Sequence, residues 1–234
     1  MNMTEAKYKV SLTNLKDYIK MLKLKVIYSH LYEKTSIAKY SKETIGSLCR
    51  SSDLSYDELY KKIMINEDYD LFIPEDYGIF QFYIEKKKNK VSKVVYCYYS
   101  NSRDFCEIKE LFEDDECSDM NPIMIYEYLI DDAPEKRNII YFRYDYDPAI
   151  YNGIIHASSH LHIGWDNEIR IPIKYMLTPE MFVDFIAKNV YKDFWQEALM
   201  NAKFKDRVLK MKKESDLIDK CMFNDEENKI LHIS

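Results

Sequence analysis

Apolar residues along the first part of the chain recur at helical spacing. Leu12, Leu15, Ile19, Leu22, Val26 and Leu31 alternate with lysines over residues 11–34, a pattern that predicts a long amphipathic helix. A second helix is expected over 41–49. Ser55, followed three residues later by Glu58, reads as a capping box opening a third helix at 56–66. Pro74 and Gly78 then mark a change of regime. The stretches 79–85 and 91–99 are rich in β-branched and aromatic residues, and the lysine-rich segment 86–90 between them predicts a hairpin with a charged loop. A short helix is expected at 103–113, then an acidic loop to about 121. Residues 123–130 fit strand and helix equally. Three further strands are expected at 138–147, 159–165 and 168–174. Thr178, Pro179 and Glu180 combine a cap, a proline suited to the first turn and an acid at the positive end of the helix dipole. They open a helix running to about 200, and a last helix is expected over 202–221.

Helices at both ends and strands between them argue for α+β, not for an alternating βαβ chain. The expectation is an antiparallel sheet meander with helices packed on one face and helical N- and C-terminal regions. A helical N-terminal region would cover 1–75, the α+β core 76–200, and a C-terminal helix and tail 201–234, together one compact domain.

Composition changes this picture little. Of 234 residues, 47% are hydrophobic and 32% charged, enough for both a core and a soluble surface. No apolar run approaches the roughly 18 residues of a membrane-spanning helix. The N-terminus lacks an apolar signal core, so a cytoplasmic protein is expected. Cys49, Cys97, Cys106, Cys117 and Cys221 are odd in number and form no CxxC pair, which reads as reduced thiols and not as a disulfide framework. Net charge is −6 but unevenly spread. Residues 1–42 and 203–213 are lysine-rich, and 107–119 is acidic. The basic stretches could contact nucleic-acid phosphates, or each could be a solvated helix face.

The candidate chemistry centres on three of the five histidines, His156, His160 and His162, which fall within seven residues. Side chains alternate along a strand. Tyr141, Arg143, Asp145 and Asp147 therefore share one side of their strand, and His160 and His162 share one side of theirs. If the strands are neighbours, Arg143, Asp145, His160, His162 and Arg170 converge on a single face, opposite an apolar face that takes the C-terminal helix. The plainer alternative is a half-exposed sheet with a polar outer side. His30, expected mid-helix, and His232, in the tail, read as structural or surface residues.

Two chemistries suit such a cluster. In the leading one, His160 and His162 act as general base and acid, with His156 assisting and Asp145 orienting an imidazole. Arg143, Arg170, Lys174 and Tyr141 would bind the substrate, the arginines stabilising charge on a phosphate. No cofactor is required, and the set would cleave RNA through its 2′-hydroxyl. In the other, His156, His160, His162 and Asp147 or Asp145 hold a divalent metal that activates water. Nearby arginines suit that only with an anionic substrate. GxGxxG, Walker A, G-x-S-x-G and H-E-x-x-H motifs are absent, and the acidic run lacks the spacing of a calcium loop.

The ordered segments YFRYDYDP (141–148), HASSHLHIG (156–164), RIPI (170–173) and LTPEMFVDFIAKNVY (177–191) resemble a bacterial family known only as a domain of unknown function. That resemblance carries no established activity. A looser similarity, confined to the motif core, links the Arg/Tyr/Asp strand and the H-x-H segment to toxin–antitoxin ribonucleases. It implies an RNA-cleaving or phage-defence role and an antitoxin-like partner protein. The alternative expectation is a non-catalytic module that binds nucleic acid or protein through its polar face and basic helices, without membrane association.

Overall fold

The first helix shows how local signals and pairing share control of this chain. In a computed structural model that describes residues 3–29, 54–88, 90–105, 122–130, 132–166, 169–230 and 232–233, helix α1 spans Glu5–Leu22. The Thr4 side chain caps it by accepting from the Lys7 N–H at 3.3 Å. It ends earlier than its apolar spacing suggests, because Lys23 turns left-handed at φ 57° and its N–H bonds the Lys20 carbonyl. The chain then extends, and strand β1 (Ile27–Tyr28) pairs with Phe72 and Leu71 of β2 (Leu71–Ile73). A short strand buried on both faces carries no alternation to betray it, which is why β2 escapes the sequence pattern.

Seven strands follow in the order β1-β2-β3-β4-β5-β6-β7, every neighbour antiparallel. The expected hairpin is present as β3 (Gly78–Lys87) and β4 (Lys90–Tyr99), with a bulge at Glu85/Lys86 and Lys88 at φ 49° in the turn. The next three strands are β5 (Tyr141–Tyr146), β6 (Ser159–Ile163) and β7 (Arg170–Pro172). The architecture is thus α+β with an antiparallel meander, and six α-helices lie among the described residues.

The remaining helices largely obey their local signals. Helix α2 (Tyr56–Ile65) carries the full capping box between Ser55 and Glu58. Residues that fitted strand and helix equally form helix α3 (Pro122–Leu129). Thr178 caps α4 (Pro179–Asn189), accepting from the Met181 N–H at 3.2 Å. The single helix expected to residue 200 is broken at Val190 and Tyr191 and resumes as α5 (Lys192–Leu199). The Tyr191 hydroxyl is drawn to the sheet, 2.9 Å from the Tyr98 hydroxyl and 3.1 Å from Asp76 Oδ1. Helix α6 (Ala202–Glu214) is shorter than expected.

Two apolar layers result. Phe80, Phe82, Tyr96, Tyr98, Tyr144 and Leu161 pack against α1 and the C-terminal helices. Phe182 of α4 sits centrally there, its ring 5.8 Å from that of Tyr96 and 6.3 Å from that of Phe80. On the other face, α2 and α3 cover Phe72, Ile79, Val95, Cys97, Tyr99 and Tyr141. The helices expected on one face are there, but this second layer extends the cover to both. The polar face predicted for β5 and β6 is buried, not washed by solvent.

The expected helix at 41–49, most of that at 103–113, the acidic run 107–119, His30, Cys49, Cys106 and Cys117 lie outside the described residues. Within them, Cys97 and Cys221 are free thiols. No helix among the described residues is long and apolar enough to cross a membrane.

Candidate functional site

Strand register brings the site together. Across the β5–β6 ladder Arg143 faces His162 and Asp145 faces His160; across β6–β7, His162 faces Arg170. Cross-strand neighbours on one face lie within about 5.5 Å, so the alternation read from the chain gathers these side chains on one side of the sheet. Relative exposures are 2% for His160, 2% for His162, 6% for Arg143 and 8% for Asp145. A buried polar group at this depth needs partners.

Asp145 supplies most of them. Arg143 Nε donates to its Oδ1 at 2.7 Å. His162 Nε2 lies 3.1 Å from its Oδ2, and His160 Nε2 is 3.7 Å from the same oxygen. The other nitrogen of His160, Nδ1, is 2.9 Å from the Ala157 carbonyl oxygen. A carbonyl only accepts, so Nδ1 carries the hydrogen and Nε2 presents its lone pair toward Asp145. The His160 and His162 ring centroids are 4.7 Å apart, and His156 stands edge-on to His160 at 5.0 Å. Two buried atoms at the margin have no hydrogen-bond partner among the described residues: Arg143 Nη1 and His156 Nδ1.

Electrostatics follow the geometry. Burial alone would raise the Asp145 carboxyl, but the hydrogen bond from His162 and the charge of Arg143 outweigh it and hold the pKa at about 2. Burial pushes His160 down to about 4, against the partial pull of Asp145. His160 is therefore neutral at physiological pH, the form in which imidazole binds a metal.

One ligand atom each from Asp145, His160 and His162 lies within 4.8 Å of the others. Bonds of about 2.0–2.1 Å in a tetrahedral site place ligand atoms about 3.3 Å apart. The separations of 3.1 and 3.7 Å around Oδ2 bracket that spacing. The donor set and its geometry fit a divalent cation, once the proton that His162 shares with Asp145 leaves.

The other expected residues fall elsewhere. Asp147 caps a 3-10 turn, its Oδ1 accepting from Ala149 N–H at 3.0 Å, and pairs with Lys93 at 3.5 Å. It lies past the end of β5, so the carboxylate available to the histidines is Asp145. Lys174 reaches Asn228 Oδ1 at 2.9 Å on the tail. Tyr141 shares the face of Arg143 but packs as a wall against Tyr56, Tyr99 and Trp165. Arg170 is exposed at the rim. In α6, Arg207 turns inward to Glu180 and the Asn14 carbonyl, and Lys210 pairs with Asp206, so its basic face is partly neutralised within the molecule. The element missed by the sequence pattern is the Ala157 carbonyl. A backbone acceptor leaves no signature in residue types.

No curated protein and no solved structure matches the chain. A family described as an uncharacterized conserved protein, DUF2290, matches residues 18–234. That span takes in every strand of the meander as well as Arg143, Asp145 and the three clustered histidines. The chain belongs to the DUF2290 family.

Proposed function

We propose that the protein is a metal-dependent hydrolase of anionic, phosphodiester-type substrates, with Asp145, His160 and His162 holding a divalent cation. The observation that carries this reading is the convergence of three donor atoms on one buried point, with His160 held by the Ala157 carbonyl so that Nε2 faces inward. Three protein ligands leave a coordination position for water, the arrangement of catalytic rather than structural sites. The cation would supply a hydroxide-like nucleophile near neutral pH. Arg143 fixes Asp145 through Oδ1, leaving Oδ2 for the cation. The neighbouring positive charge of Arg143, with Arg170 at the rim, favours a substrate that is itself negative.

The same geometry weighs against a metal-independent acid–base pair. His160 has its one N–H committed to Ala157, and both histidines converge on a single carboxylate oxygen. His160 could then serve only as the base, and the Nε2 of His162, which would have to supply the acid's proton, is turned to Asp145.

The test is calorimetric titration of wild type and a His160→Ala/His162→Ala variant with Zn²⁺, Mn²⁺ and Fe²⁺, followed by incubation with total RNA with and without EDTA. One cation per chain, lost in the variant, and EDTA-sensitive cleavage are expected. EDTA-resistant cleavage lost in the variant would return the site to acid–base catalysis. Cation binding that survives the double substitution would remove the assignment altogether.

A further inference from the structure

Behind β6, on the side away from the histidines, a pocket of about 180 Å³ opens between the sheet and the C-terminal helices. Leu161 and Ile173 form its floor, and Phe185, Val208 and Met211 form much of its walls. Asp184 is the one charged side chain among its described lining residues. Its surroundings are lopsided. Tyr18 Oη donates to Asp184 Oδ1 at 2.6 Å and Trp195 Nε1 donates to the same oxygen at 2.9 Å. Neither bond reaches Oδ2, and no cation pairs with the carboxylate among the described residues. Lys188, one turn along α4, lies instead over the Trp195 ring, 5.6 Å from its centroid. Burial pushes the Asp184 pKa upward, and the hydrogen bonds from Tyr18 and Trp195, with a smaller pull from the charge of Lys188, offset this only in part.

We infer that this pocket binds a small apolar molecule bearing an ammonium group. The apolar walls would take a ring or short alkyl body, since an apolar cavity of about 150 Å³ is known to accommodate benzene. The ammonium would meet Asp184 Oδ2 and supply a paired cation, giving a charge-assisted hydrogen bond. The inference is independent of the cation site, because the pocket lies on the opposite face of the sheet and shares none of its ligands.

Benzylamine and benzyl alcohol, similar in shape and differing in charge, are suitable probes. Titration of wild-type protein should show benzylamine binding at least about tenfold tighter than the alcohol. Asp184→Asn should bring benzylamine down to the affinity of the alcohol, and Val208→Trp should fill the pocket and abolish both. Equal affinities in the wild type, no binding of either probe at millimolar concentration, or benzylamine binding unchanged in Val208→Trp would each overturn the inference. Should Asp184→Asn fail to fold through loss of the Tyr18 and Trp195 bonds, the wild-type comparison and Val208→Trp decide it.

Discussion

Asp145 organises the polar cluster, with one oxygen for Arg143 and the other for both histidines. Removing it would leave the Arg143 guanidinium buried without its counter-charge. Asp145→Ala should therefore cost about 3–5 kcal/mol in urea unfolding of the metal-free protein; a loss below about 1 kcal/mol would mean that solvent reaches Arg143. In the proposed cation site Arg143 would act through Asp145, whose Oδ1 it holds. Arg143→Gln should weaken Zn²⁺ binding by about 10–100-fold without changing its stoichiometry, as other groups that orient metal ligands do. Unchanged affinity would show that Asp145 needs no such anchor. Which side chains share a face of β5 and of β6 was legible in the sequence because alternation is a local property, whereas the pairing of the two strands is a matter of tertiary structure. The tautomer of His160 was not, because it depends on a carbonyl three residues away in a loop.

Among the elements, helix α2 illustrates a start encoded entirely in adjacent residues. Ser55 accepts from the Glu58 N–H at 3.3 Å, and the Glu58 carboxylate accepts from the Ser55 N–H at 2.8 Å. Ser55→Ala should cost about 1 kcal/mol in chemical denaturation. The interruption between α4 and α5 is a different case, since no proline or glycine stands there. It coincides with Tyr191 reaching Tyr98 and Asp76 beside Gly78, the first residue of β3. A Cβ at Gly78 would press on the Tyr191 hydroxyl and sit 3.1 Å from both Asp76 Oδ1 and the Tyr98 hydroxyl. Gly78→Ala should destabilise the fold by about 1–3 kcal/mol through overpacking. A neutral result would show that Tyr191 moves aside freely.

At the scale of the whole molecule, helical layers lie on both faces of the sheet, and ion pairs tie segments far apart in the chain. Arg103, just past β4, grips Asp57 of α2 through Nε at 2.9 Å and Nη2 at 2.6 Å. The hydrogen bond from Arg103 holds the Asp57 carboxyl below its ordinary value of 3.8. A depressed carboxyl contributes stability above its unfolded pKa and loses it as pH falls through the folded one. Wild type should therefore exceed Asp57→Asn by about 1 kcal/mol at neutral pH, since a half-buried bidentate pair is worth little more. The two unfolding curves should converge in acid, once pH has fallen through the depressed folded-state pKa of Asp57. A difference that persists in acid would mean that Asp57 acts through packing and not charge.

The residue pattern by itself determined which side chains share a strand face, where α2 and α4 begin, and that an antiparallel meander lies between helical ends. These are local matters, set by a period of two or 3.6 residues and by caps a few positions long. Only the tertiary structure decided that α2 and α3 cover the second face and that α1 gives way to a paired strand at Ile27. It likewise chose Asp145 over Asp147 as the carboxylate beside the histidines. Each of these depends on contacts between residues far apart in the chain. Whether a polar strand face meets water or the interior is set by which distant element packs on it, and no short-range periodicity carries that information.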